Sequence, residues 1–522
     1  MKKKSNSIIK SVTFIAFFTL FARALGLLRD MITASKFGAN KALDAYVAAS
    51  NVPMIIFMTI GTAITTTLIP LYSEKLKEGK ESANRFANNV LNFFILATGI
   101  ISLVCIILNK PIVHILNPGF KGSEQSLTQI LTVILIPTLI FNAIIYIFNG
   151  VLQSEGQFTV PSLVSLPLNG ITIIYLFIFG ANQGVIGLTI ITFVATFAQI
   201  IPQLFAIKKV GFKYKFFIDF KDEALKRMEV MIIPVIIGVS GQQINSMVER
   251  AVATNYSAGS LTALTYSYRV FTLFVDVFVV AISTVIYPMM SKQAVEDNLN
   301  NLKATLKKYV NILLVLIIPI TVIIMLEANS IIYILFERGK FDRTATLTTG
   351  SLLLTYALGL LAYGLRDFIC KAYYSFKDTK TPMINSAIGM LINVALIFVC
   401  VKFMGLTGLG FANSISTYIC CFLLIYQLKY KIGKFSIKSG VITAIKTLVA
   451  CAAMGLYINV LNSYLLTSLN STIIVLLKLI VIGGTGLCVF VIASYILKIG
   501  EIGTIANIAI SKIKKSDKSG VN

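Results

Sequence analysis

Three arginines are the residues of this chain best suited to chemistry. Arg23 and Arg29 lie in an apolar run, Ile8 to Phe37, whose only other ionisable side chains ahead of Lys36 are Lys10 and Asp30. Arg269 lies in another such run further on. A guanidinium near the centre of a membrane helix costs on the order of 2.5–3.5 kcal/mol even on the insertion scale, so it normally faces water, a carboxylate or an anion. Its planar fork of donors matches two oxygens at once, which points to phosphate or diphosphate chemistry.

The neighbours of these arginines fall at helical spacings. Arg23, Gly26 and Asp30 share one helix face, and Arg29 lies about 120° round from Arg23. An Arg–Asp pair that only locks helices together is the competing reading. In the next run Asp44, Asn51, Met58, Thr62 and Thr65 continue one face, with Asp44 as a snorkelling residue or an arginine partner. Gln242, Asn245 and Glu249 form a stripe flanked by Gln243, Ser246 and Arg250. Thr262, Thr265, Arg269, Thr272, Asp276 and Ser283 form another. Such stripes line something polar, unless the hydroxyls merely bond to neighbouring helices. The adjacent Arg366-Asp367 reads as a structural pair.

The elements that must position these residues are membrane helices. The chain has 522 residues, 56% hydrophobic and 13% charged, with a mean hydropathy of +0.84. Apolar stretches of about 20 residues recur, which excludes a soluble protein and gives an all-α polytopic membrane protein. A β-barrel would alternate with period two. The net charge of +24 sits in short loops, as the positive-inside rule expects, so no nucleic-acid partner is read from it. Met1-Lys2-Lys3-Lys4 opens like a signal peptide, but the run that follows is too long and carries arginines, so it reads as a retained first span. The seven cysteines read as small core residues without disulfides. The single histidine, His114, is expected in a loop, which argues against a His-based metal site. There is no Trp.

Fourteen spans are expected: 8–36, 45–73, 84–108, 126–152, 158–180, 184–207, 228–254, 260–290, 305–328, 345–375, 382–403, 407–428, 440–462 and 471–497. Lysines concentrate in alternate loops, which puts both termini in the cytoplasm. Pro161 and Pro382 are each followed 23 residues later by a Gly-rich pentapeptide starting at Gly184 and Gly405. Pro70-Leu71-Tyr72-Ser73-Glu74-Lys75 echoes Pro288-Met289-Met290-Ser291-Lys292. The expected organisation is two six-helix lobes in parallel repeat, 1–215 and 216–432, around a central cationic cavity. Two extra C-terminal helices follow (433–500), then a basic cytoplasmic tail (501–522). Lys208–Arg227, with its interleaved Phe and Tyr, reads as an interfacial linker. The last two spans carry only Lys446 and Lys478 from Val441 to Leu497, which suits a groove for a lipid tail or an oligomerising pair.

Several stretches resemble the MurJ/MviN lipid II flippase family, in the multidrug/oligosaccharidyl-lipid/polysaccharide exporter superfamily. They are Arg23-x-x-Gly26-x-x-Arg29-Asp30, Phe37-Gly38, Asp44-Ala45-Tyr46, Pro118-Gly119-Phe120 and Tyr268-Arg269. Leu335-Phe336-Glu337-Arg338-Gly339-Lys340-Phe341-Asp342 and Tyr374-Ser375-Phe376-Lys377-Asp378-Thr379-Lys380-Thr381-Pro382 complete the series. The resemblance implies a multi-pass protein of the bacterial cytoplasmic membrane that flips undecaprenyl-diphosphate-linked peptidoglycan precursor outward by alternating access. It implies that Arg23, Arg29 and Arg269 meet the headgroup, with Asp30 and Asp44 beside them, and that spans 13 and 14 hold the polyprenyl chain. Where some relatives carry a further arginine after the span-2 proline, Pro53 is followed by Met54, Ile55, Ile56, Phe57 and Met58; Arg250 is the candidate substitute. Some relatives bind sodium through acidic residues of spans 7 and 11. Glu249 is a candidate ligand, but span 11 holds no carboxylate. No cofactor or resident metal is expected; sodium or the membrane potential is the candidate driving force. The expected partners are lipid II, membrane lipids and proteins of cell-wall synthesis, with the chain a monomer. The alternatives are another polysaccharide-lipid or multidrug exporter, against which the arginines argue, a membrane enzyme on polyprenyl phosphates, which lacks the expected carboxylate cluster, and a structural scaffold, which leaves the arginines without a purpose.

Overall fold

The computed structural model describes residues 2–295, 299–433, 438–465 and 472–503, with side chains from residue 18 onward except 280–285, 295 and 465. The lysines of the first residues, the Ser283 side chain and most of the expected tail, from 504, therefore lie outside the described side chains. Helix α1 runs Lys2–Phe37, α2 Lys41–Glu78, α3 Lys80–Ile107, α4 Asn109–Leu116, α5 Ser123–Leu135 and α6 Thr138–Ser154. Next come α7 Thr159–Leu163, α8 Leu166–Ile178, α9 Gly184–Ala198, α10 Ile200–Lys209 and α11 Glu223–Ala253. Then α12 is Ser260–Phe274, followed by a π-helical segment Val275–Val280 and α13 Ala281–Val295. The remainder is α14 Leu299–Phe336, α15 Arg343–Ala357, α16 Leu360–Ser375, α17 Lys380–Met404, α18 Gly408–Ile432, α19 Lys438–Leu465 and α20 Thr472–Ile496. His114, expected in a loop, lies on the short helix α4.

Each expected span coincides with one helix or with two helices in series. By length and composition, eight helices are apolar enough to cross a membrane, or up to ten if each bent pair is one span. That count takes Lys380–Ile432 as one 53-residue helix. Physically it is a hairpin. Gly405 turns the chain at a φ of 60°, and α17 and α18 pack along each other, with Asn385 Nδ2 donating to Gln427 Oε1 at 2.6 Å. Fourteen crossings remain an expectation, because α1, α11 and α12 are not among the eight. Those are the helices in which the sequence concentrates its charged stripes.

The bends have local causes. α5 and α6 meet at 41°, where Pro137 supplies no N–H to continue the ladder. α15 and α16 meet at 42° beside Gly359, where a Cβ would come 2.8 Å from Ser414 Oγ. α14 kinks at Glu327, with φ −108°. That carboxylate is buried and accepts from Asn462 Nδ2 at 2.6 Å.

The chain divides into two compact units, residues 1–262 with 338–345, and residues 263–337 with 346–522. The core of unit 1 joins Phe57, Ile64, Leu68 and Tyr72 of α2 to Phe86 and Val90 of α3, Phe148 and Val151 of α6, and Leu225 and Met228 of α11. Contact thus groups α11 with the helices before it, where the repeat reading begins a second lobe at 216. Compactness does not measure ancestry, so the 1–215, 216–432 and 433–500 division stays an expectation. In unit 2, Leu314, Val315 and Ile318 of α14 pack against Ala450, Met454 and Ile458 of α19 and Ile482 and Phe490 of α20. Of the cysteines, Cys105, Cys400, Cys420, Cys421 and Cys451 are buried, Cys370 is half-buried and Cys488 is exposed.

Candidate functional site

On α1 the two arginines differ. Asp30 Oδ1 accepts from Arg29 Nε at 3.1 Å and Nη2 at 2.7 Å. Adjacent helix residues do not ordinarily face one another, but the long arginine stem folds back. Asp30 is buried and Arg29 half-buried, so the carboxylate holds this guanidinium in one orientation. Arg23 is exposed on the protein surface. Gly26, between them, faces α8, where an added Cβ would touch the Asn169 side chain at 3.7 Å. Asn169 in turn donates to the Ala22 carbonyl at 3.4 Å. Gly26 therefore serves close helix packing.

Asp44, which the resemblance places beside the headgroup, is 2% exposed. One of its oxygens accepts from Gly259 N at 2.7 Å, and the other from Thr262 N at 2.8 Å and Thr262 Oγ1 at 2.6 Å. It caps the first turn of α12, both of its oxygens accepting from that turn. Its contribution is positional.

The surrounding motif glycines form a clasp in unit 1. Cβ atoms added at Gly38, Gly119, Gly259 and Gly339 would come within 2.5, 2.0, 2.5 and 2.3 Å of the carbonyl oxygens of Lys340, Thr254, Ala39 and Ser35. Three of the four also have positive φ, 76° at Gly38, 89° at Gly259 and 61° at Gly339, which only glycine adopts without cost. Lys340 N donates to Ser35 O at 2.8 Å. A cavity of about 210 Å³ beside the clasp is lined by Lys41, Asp44, Lys121, Glu124 and Tyr256, among others. Sequence reasoning used several of these residues as family markers without seeing what they do. The available signal was glycine recurring in the loops that flank the charged helices.

On α11, Glu249 is buried and Arg250 half-buried. On α12, Thr262 is fully buried on Asp44, while Arg269 is exposed. The π segment starts six residues beyond Arg269 and contains Asp276, so the straight-helix spacing of the stripe ends there; the Ser283 side chain lies outside the described ones. An extra residue per turn rotates everything after it. Thr62 and Thr65 on α2 donate to their own helix, at Met58 O (2.9 Å) and Gly61 O (3.2 Å).

The Arg366-Asp367 pairing is also corrected. Asp367 binds Lys371 one turn on, at 2.9 Å, and Arg366 Nη2 donates to Ser386 Oγ at 2.9 Å. A lysine at i+4 is better placed for the carboxylate than an arginine at i−1.

The Lys377-Asp378-Thr379-Lys380-Thr381 motif proves to be a helix cap. Asp378 accepts from Thr381 N at 3.0 Å and Thr381 Oγ1 at 2.9 Å, and pairs with Lys431. The Lys431 ammonium also lies 5.9 Å from the rings of Tyr373 and Phe376. Burial alone raises the Asp378 carboxyl, but Lys431 and Thr381 outweigh it and hold the group at about 2, below its ordinary 3.8. A depressed value stabilises the fold above 3.8, and that contribution drains away as pH falls toward 2. Asp378→Asn is expected to melt below the wild type near neutral pH, the gap closing on acidification through that window. A constant gap at all pH values would show that the ion pair contributes nothing.

A family model described as "Lipid II flippase MurJ" matches residues 33–480. The probable lipid II flippase MurJ of Rickettsia prowazekii is 26% identical over 501 residues, covering 94% of this chain and 98% of that protein. That of Borreliella burgdorferi is 28% identical over 416 residues, covering 80% and 82%. Among solved structures, a lipid II flippase MurJ in an inward closed conformation superposes with a TM-score of 0.79 at 27% identity, covering 92% of this chain and 98% of that one. An inward-facing multidrug resistance transporter of the MATE family has a TM-score of 0.66 at 16% identity over 80% of this chain and 98% of that one, a likeness of fold alone.

Proposed function

Because the chain belongs to the lipid II flippase MurJ family, we propose that it carries lipid II across the bacterial membrane from the inner to the outer leaflet by alternating access. The headgroup is anionic and must pass about 30 Å of hydrocarbon, which requires a shielded cationic path while the tail stays in lipid. The observation that supports this reading best is on α1. Arg29, in the first long apolar run, is held by the buried Asp30 beside it. In this reading Arg23, Arg29 and Arg269 contact the diphosphate during transport and Arg250 supplements them. Asp30 and Asp44 position what they bind. The lipid leaves chemically unchanged.

Both termini lie in the cytoplasm, as the lysine distribution favours. The chain works as a monomer, with cell-wall synthesis proteins as its neighbours. Transport draws on sodium or the membrane potential. Glu249 is the candidate ligand for an ion, with the departure that α17, the helix of span 11, contributes no carboxylate to pair with it. Flipping in vesicles that hold a potential but no sodium separates the two sources.

The direct test is leaflet accessibility. With this protein depleted, newly made lipid II is expected to become inaccessible to a probe acting from the outer face, and re-expression restores access. Unchanged outer-leaflet labelling on depletion contradicts the assignment, as does recovery of a chemically altered lipid.

A further inference from the structure

The segment between α10 and α11 is a strap tied to α3 by asparagines. Asn84 Nδ2 donates to Gly211 O at 3.0 Å and Asn88 Nδ2 to Lys213 O at 2.8 Å. Asn88 Oδ1 accepts from Lys215 N at 2.8 Å. Asn92 Nδ2 donates to Lys215 O and Phe217 O at 3.1 and 3.0 Å. Asn89 exchanges both bonds with the Asp219 backbone, at 2.9 and 2.8 Å. Asn88, Asn89 and Asn92 are almost fully buried. Four amides on one helix replace the ladder that an isolated extended segment lacks, and they fix which of its side chains point outward.

Those outward side chains are aromatic and basic. Phe216 is 79% exposed and Phe220 and Tyr214 are each 58% exposed. Lys213, Lys215 and Lys221 are exposed between them, and none forms an ion pair among the described residues. The strap's acids are occupied locally: Asp222 caps α11 through Ala224 N and Leu225 N, and Asp219 accepts from Lys221 N. The strap 210–222 thus carries three lysines against two carboxylates, a net charge of +1, with the three lysines exposed among large rings and the two carboxylates only half-exposed.

Its depth follows from α3. Residues 80–92 are mostly polar and end at Asn92, whereas 93–107 form an apolar run that at 1.5 Å per residue spans about 22 Å, most of the hydrocarbon core. The polar stub, and the strap bound to it, therefore stand at headgroup level. There rings enter the acyl boundary and ammonium groups meet phosphate.

We propose that the strap 210–222 is a built-in docking site for anionic phospholipid headgroups, with Lys213, Lys215 and Lys221 as the charge-selecting residues and Phe216 and Phe220 as the anchors. It needs only the membrane-spanning fold, and stands whether or not lipid II is the transported lipid.

The chain contains no Trp, so Phe216→Trp installs a sole reporter. In nanodiscs of the full chain, its emission is expected to be blue-shifted and quenched by acyl-brominated phosphatidylglycerol more strongly than by acyl-brominated phosphatidylcholine. Changing each lysine to Gln should reduce that preference by up to roughly fivefold, from the attraction of one basic residue to an anionic surface. Phe220→Trp, edge-on to Phe93 at 6.1 Å, gives the same readout should Phe216→Trp misfold. A water-like emission that neither lipid quenches overturns the docking. Equal quenching by both lipids, unaffected by the lysine changes, overturns the charge selection and leaves only insertion of the rings.

Discussion

Arg269→Ala, Arg23→Ala and Arg29→Ala are each expected to abolish rescue of a flippase-depleted strain while the protein still reaches the membrane. A hydrogen bond to a charged group contributes about 1.5–3 kcal/mol, and every 1.4 kcal/mol is a factor of about ten. Loss of one guanidinium should therefore slow transport by roughly one to two orders of magnitude, enough to stop growth where flipping is essential. Lysine substitutions discriminate between charge and shape. They keep the charge but lose the fork that engages two oxygens, so partial rescue is expected. Arg29 adds a second signature. Its orientation depends on Asp30, so Asp30→Asn should weaken transport in the Arg29 background and add little to Arg29→Ala. Full growth with Arg269→Ala would count heavily against a diphosphate role for these residues, and additive losses at positions 29 and 30 would show that the pair does not act as one unit.

How far the sequence reveals this molecule depends on the range of the interaction concerned. Helices were legible because hydropathy runs are local and long. Their interruptions were less so: Pro137 breaks α5 from α6 in a way any reader could suspect, yet Pro319 passes through α14 and the kink comes at Glu327. The side-chain pairings were read least well. Helical periodicity put Asp30 on the face of Arg23, and did not show that its carboxylate also meets the adjacent Arg29. Periodicity also offered Asp44 as a snorkelling residue or an arginine partner, whereas the amides that claim it come from Gly259 and Thr262, over 200 positions away in sequence. Nothing in a linear pattern carries that distance. The asparagines of α3 are a parallel case. Asn84, Asn88, Asn89 and Asn92 look like weak helix formers at a polar end, and their purpose shows only when the strap lies on them.

Breaking the clasp around Asp44 is expected to have the second large effect, and on stability. Asp44→Ala removes a cap worth about 0.5–2 kcal/mol and strands two backbone N–H groups and a threonine hydroxyl in a buried place, at about 1–3 kcal/mol for each donor left unpaired. Asp44→Asn keeps one oxygen for Thr262 but turns its NH₂ toward the Gly259 N–H, donor against donor, so it should fall between alanine and wild type. Gly259→Ala attacks the same turn from the backbone, since its φ of 89° disfavours any side chain and its Cβ would lie 2.5 Å from the Ala39 carbonyl. Melting of the purified protein should therefore rank wild type above Asp44→Asn, and Asp44→Asn above both Asp44→Ala and Gly259→Ala. Thr262→Val is the finer probe: it removes only the hydroxyl bond and leaves both amides on Asp44, so most of the stability should remain. A Thr262→Val loss as large as that of Asp44→Ala would mean that the hydroxyl, and not the capped helix turn, is what Asp44 holds. Because Arg269 lies two turns along the helix that Asp44 caps, a stable Asp44 variant that still fails to transport would tie the clasp to the arginine through α12 itself.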